Sequence, residues 1–126
     1  MADAMRTHGL FSWNELHAGN GDAMKRFYAA VTGWRFEDTP MPDGAYPVIK
    51  VGDVSAGGMA PGASPLKGWV PYITVDDVDA AVAKATAAGG KVIRPAADMA
   101  PIGRMATLAD PEGTVFAVIK YAPEMS

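Results

Sequence analysis

The chain has 126 residues, 49% of them hydrophobic and 20% charged, which suits one domain able to bury roughly two-thirds of its unfolded surface. Its lack of cysteine excludes disulfides and thiolate chemistry, and a net charge of −3 without any run of Lys or Arg argues against a nucleic-acid surface. No stretch is apolar for long enough to serve as a signal peptide or a membrane span, so a cytoplasmic protein without a membrane partner is expected.

The segment "GLFSWNELHA" alternates in polarity and predicts a strand from Leu10 to His17. Asn20 then caps a helix running to about Val31, with Met24, Phe27, Tyr28 and Val31 on its inner face. Gly33 stops that helix, because glycine takes the left-handed conformation at little cost. "WRFED" is the next strand. "MPDGA" follows as a turn, Pro presetting one dihedral angle and Gly permitting a positive φ. "YPVIKV" and "VSAGGMA" read as two short strands joined at Gly52-Asp53.

The stretch "PGASPLKG", Pro61 to Gly68, breaks the pattern and reads as a connector, after which the order begins again. "WVPYITV" is a strand. Asp76 is expected to cap a helix with Asp79 at its third position and Val78, Ala81, Val82, Ala85 and Ala88 on its inner face. Gly89-Gly90 ends it, "KVIRP" is a strand, and "GRMATLA" and "TVFAVIKY" follow, separated by the turn "DPEG". A shift of 57 residues carries Asn20 onto Asp77, Met24 onto Ala81, Tyr28 onto Ala85 and Gly33 onto Gly90. The chain therefore reads as two βαβββ modules, about residues 10–60 and 69–121, in one α+β domain spanning 1–126. Each module supplies a four-stranded sheet with a helix on one face, and curved mixed sheets around a cleft are expected.

The segments "RFYAAVTGWRF", "YITVDDVDAAVAKATAAGGKV" and "LADPEGTVFAVI" resemble the vicinal oxygen chelate superfamily, which includes glyoxalase I, bleomycin-resistance proteins and extradiol dioxygenases. The resemblance runs from about Phe11 to Lys120. It implies paired βαβββ modules forming a cupped cleft, often completed across a homodimer. In metal-dependent members it implies one divalent ion held by His and carboxylate ligands from strands of both modules. Carried onto this chain, the ligand positions fall on Trp13, Val70 and Ala117, together with the strand at 54–61, which contains no His, Asp, Glu, Gln or Cys. None can serve as a ligand, so no metal cofactor is expected.

On a strand, Trp13, Glu15 and His17 point to one side, and the resemblance implies that this side faces the cleft. Three readings of Glu15 and His17 follow. They could be relocated metal ligands, since two residues along a strand set the α-carbons roughly 6.5–7 Å apart. They could be a metal-free acid–base pair acting on a bound carbonyl compound. Or they are polar residues at a strand end, with His17 near solvent and Glu15 bonded to a backbone amide or to Arg104. His8 is expected to be solvent-exposed.

Trp13, Met59 and Tyr72 are candidate cleft walls for a flat or apolar ligand, against a reading as ordinary core. Arg104 is a candidate partner for a ligand carboxylate, against pairing with an acid. The expected function is binding of a small, partly aromatic or apolar molecule by a metal-free, bleomycin-resistance-like homodimer. The alternative is a lyase, isomerase or dioxygenase-like enzyme that uses Glu15 and His17, with or without a non-standard ion.

Overall fold

Asn20 has the extended backbone of a helix cap, and its side-chain oxygen accepts the Ala23 N–H at 3.0 Å. This short bond starts α1 (Gly21–Thr32), and Gly33, at φ +74°, closes it by donating its N–H to Ala29. The computed structural model describes residues 3–41, 44–61 and 65–123. Two residues of the expected "MPDGA" turn (42–43) and three of the expected connector (62–64) lie outside them. Around α1 the described residues form β1 (Phe11–His17), β2 (Arg35–Met41), β3 (Gly44–Val51) and β4 (Val54–Met59). The second half repeats the order with β5 (Gly68–Thr74), α2 (Val78–Ala87), β6 (Lys91–Met99), β7 (Gly103–Ala109) and β8 (Val115–Tyr121). This is the α+β architecture that the repeat implies, βαβββ twice.

The chain divides into two units. One is Trp13–Val70, and the other joins Met1–Ser12 to Pro71–Ser126. In the first, the strands run in the order β2-β3-β4-β1, antiparallel except for the parallel pairing of β4 with β1. In the second, the order is β5-β8-β7-β6, and the parallel pair is β5 with β8. In each unit the strand before the helix therefore lies parallel to the module's last strand.

The clearest core lies in the second unit, where Val78 of α2 packs with Val75, Ala106, Leu108 and Val118. Ala81, Val82 and Ala85 join it, as the sequence periodicity predicts. Ala88 does not: it is the exposed C-cap of α2. The N-cap is Asp77 rather than Asp76, since it is Asp77 whose carboxylate accepts the Ala80 N–H at 3.0 Å. Asp76 instead gives its backbone N–H to Nδ1 of His8, whose side chain is 59% exposed. The strand expected at "KVIRP" runs on to Met99 with two irregularities in register, so Pro95 falls where the ladder is already broken.

α1 behaves differently from α2. None of its residues is fully buried, and Phe27 and Val31, expected on its inner face, are 55% and 65% exposed. Tyr28 instead turns to Trp34, stacked at 5.5 Å, and accepts the Trp69 indole N–H at 3.2 Å. Aromatic stacking has drawn one side of the stripe away from the rest.

Candidate functional site

Alternation along β1 sends Trp13, Glu15 and His17 to one face. His17 is buried, and its Nε2 stands 2.8 Å from Oε1 of Glu15, whose side chain is 12% exposed. With Glu15 ionised, the bond is donated by the Nε2–H of His17. The other carboxylate oxygen accepts the hydroxyl of Tyr46 at 2.8 Å, and the same hydroxyl oxygen accepts the indole N–H of Trp13 at 3.0 Å. A continuous chain of hydrogen bonds thus runs Trp13, Tyr46, Glu15, His17, with both oxygens of the carboxylate engaged.

Tyr46 is on β3, and β4 lies between β3 and β1. Its ring reaches across because Gly58, aligned with Val48 on one side and with Glu15 on the other, has no side chain. A β-carbon there would overlap the Tyr46 ring and hydroxyl. On the opposite face a β-carbon at Gly57 would meet the Asn14 carbonyl at 2.6 Å. The Gly57-Gly58 pair therefore lets β1 close on β4 and lets Tyr46 pass over it, which is why a strand carries two glycines here. Sequence reasoning named Trp13, Glu15 and His17 but missed Tyr46. The signal was Gly58, since a lone glycine inside a strand marks the close approach of another group.

Two depressions open in this unit. One, of about 220 Å³, has buried His17 and Ala18 as its floor, with Met24, Asn20, Lys67 and Gly68 around it. The other, of about 480 Å³, brings Asp22, Lys25, Asp38 and Pro47 around Met59. Met59 is 2% exposed and pairs in register with Leu16.

Tyr72 and Arg104 belong to the second unit. Tyr72 is 6% exposed and aligned with Ala117, so it points away from α2, which packs on the neighbouring Val118. Arg104 is on the α2 side. Its Nε and one terminal nitrogen grip both oxygens of Asp79 at 3.1 and 2.9 Å, and the other terminal nitrogen meets Asp98 at 3.1 Å. Those hydrogen bonds, with Asp79 first, raise Arg104 above its ordinary value. The Arg104 hydrogen bond holds the Asp79 carboxyl below the usual carboxylate range. Arg104 thus pairs with Asp79 and Asp98, while Glu15 bonds Tyr46 and His17.

A divalent ion of the kind the fold implies takes three or more protein donors. Trp13, Val70 and Ala117 offer none, β4 carries no His, Asp, Glu, Gln or Cys, and no group of three His, Cys, Asp or Glu residues forms among the described residues. Glu15 and His17 are two donors, already bonded to each other. Among the described residues, the donors present do not make up the set such an ion takes.

Paired βαβββ units with a parallel strand pair in each define a protein of the vicinal oxygen chelate class. A family profile described as a glyoxalase-like domain matches residues 15–119, and the chain belongs to that family. It is 43% identical over 122 residues to the protein named "Putative glyoxylase CFP32" of Mycobacterium tuberculosis, a match covering 92% of this chain and 46% of that one. It is 46% identical over 50 residues to the anthracycline biosynthesis protein DnrV of Streptomyces peucetius, covering 40% of this chain and 18% of that one. Among solved structures, methylmalonyl-CoA epimerase from Mycobacterium tuberculosis superimposes with a TM-score of 0.61 at 14% identity, over 99% of this chain and 95% of the other. The last likeness is one of fold. The chain spans about half the length or less of the curated relatives it matches.

Proposed function

We propose that this chain is a metal-free member of its family that binds a small, partly aromatic or apolar organic molecule on the face carrying Trp13, Tyr46, Glu15 and His17. The observation that supports this most is that the hydrogen-bonded chain from Trp13 through Tyr46 and Glu15 to His17 engages both carboxylate oxygens. With both Glu15 oxygens already accepting hydrogen bonds, the carboxylate is a fixed part of the wall that holds two aromatic rings in place. Rigid aromatic side chains beside a satisfied polar network suit recognition of a flat ligand. The anthracycline biosynthesis protein among its relatives agrees with a link to aromatic small molecules. We propose further that the chain pairs with a second copy of itself. The exposed Phe27 and Val31 of α1, and relatives of about twice this length, support that pairing.

The first test is elemental mass spectrometry on protein purified without chelators. No bound ion is expected, and about one ion per chain would sink the metal-free reading. The second is Trp13→Ala against the tightest hit from a screen of small aromatic molecules. Loss of an aromatic anchor should weaken binding about 30-fold, the equivalent of ~2 kcal/mol. Glu15→Gln should change affinity only a few-fold.

A second reading rests on the 2.8 Å bond between Glu15 and His17. It is acid–base chemistry on a carbonyl compound, of the lyase or isomerase kind. Under it Glu15→Gln and His17→Ala would each lower a turnover rate by about 10²-fold or more. Unchanged turnover in both variants would dismiss it.

A further inference from the structure

Lys67 stands at the rim of the smaller depression, directly before Gly68, whose φ of +96° turns the chain into β5. That left-handed value favours glycine and fixes where Lys67 begins its side chain. Around the depression, buried His17 and Ala18 and half-buried Met24 form a largely apolar floor. Among the described residues that line the depression, Lys67 is the one with a full formal charge, and none is a carboxylate. Among the described residues Lys67 has no ion pair or hydrogen bond to answer that charge. The α1 amino terminus opens on the same rim through Gly19 and Asn20 and adds positive potential there.

The other cations near candidate surfaces have carboxylates around them. Arg104 is taken by Asp79 and Asp98, and Lys25 shares the larger depression with Asp22 and Asp38. At about 220 Å³ the smaller depression falls below the roughly 300–1,000 Å³ of sites for drug-sized ligands. It has room for one ring or a short chain with a compact polar head.

We infer that this depression is an anion-recognising subsite. It takes a small carboxylate-bearing molecule, the ring or chain lying on His17, Ala18 and Met24 and the carboxylate meeting Lys67. This rests on the proposal that the β1 face binds a small organic molecule, and it names the charge that molecule carries.

The test compares benzoate with benzamide, nearly the same shape with and without the charge. Each is titrated by NMR against the wild-type chain, Lys67→Gln and Lys67→Arg. Wild type should bind benzoate about tenfold more tightly than benzamide, the scale of a charge-assisted hydrogen bond. Lys67→Gln should bring the two within about twofold, and Lys67→Arg should keep the preference. Shifts induced by benzoate should centre on the amides of Gly19, Asn20 and Gly68. Lys67 is exposed, so amide dispersion is expected to stay unchanged in both variants. Equal binding of the two probes to wild type, a preference that survives Lys67→Gln, or shifts centred elsewhere would overturn the subsite while leaving the small-molecule reading standing. Binding of neither probe would overturn both.

Discussion

Gly58 matters for the atom it lacks. A β-carbon at that position occupies the space of the Tyr46 ring, and Tyr46 is what ties Trp13 to Glu15. Gly58→Ala should therefore cost about 1–3 kcal/mol, the usual scale of an overpacked site. In a Tyr46→Ala background, where the space is empty, the same substitution should cost far less. A double-mutant cycle by urea denaturation checks this, and an equal cost in both backgrounds would refute it. Tyr46→Phe keeps the ring and removes one donor to Glu15 and the acceptor for Trp13. Leaving polar groups of this sort unsatisfied in a half-buried setting costs about 1–3 kcal/mol.

Among the elements, the helix ends were the most legible part of the sequence, because a cap is a local bond between neighbours in the chain. Asn20 and Gly33 act as their positions imply. The second cap was read one residue early, at Asp76, although the repeat itself aligned Asn20 with Asp77. Asp77→Ala should destabilise by about 1 kcal/mol, while Asp76→Ala, whose backbone N–H still reaches His8, should stay within about 0.5 kcal/mol. Thermal melts of the two variants would settle which carboxylate caps α2. Faces of strands were legible too, since alternation alone placed Trp13, Glu15 and His17 together. Tyr46 was not, because its meeting with Glu15 depends on strand order and register, which no local pattern encodes.

In β8, Tyr121 offers a pH test. Burial pushes its phenol up, against a smaller downward pull from its 2.8 Å hydrogen bond with Ser12. The folded chain thus favours the neutral phenol. That contribution to stability is whole below the ordinary tyrosine value of about 10 and is lost as pH rises through the higher folded value. Denaturation midpoints from pH 8 to 12 should fall more steeply for wild type than for Tyr121→Phe, and parallel curves would count against the buried phenol.

For the molecule as a whole, two modules of one pattern have diverged in what they contain. The repeat sets Glu15 opposite Tyr72 and Asn20 opposite Asp77, so the same scaffold carries a carboxylate at this strand position in one half and a buried tyrosine in the other. The order of residues revealed the repeat but not this division, since the ring contacts that draw Tyr28 to Trp34 and Trp69 arise only once the chain is folded. No described helix is long and apolar enough to cross a membrane.

The contrast between the two helices has a kinetic consequence. α2 is anchored by Val78 in a cluster with β7 and β8, whereas α1 has no fully buried residue. Regions with few buried apolar contacts open at lower free energy than the core around them. Amide hydrogens of α1 should therefore exchange with solvent by local opening, well before those of β7 and β8, which should be released only on global unfolding. The half that carries Glu15, His17 and Lys67 would then breathe while the other half stays shut. A ligand captured there should slow exchange in α1 and leave the β7–β8 amides at their global rate.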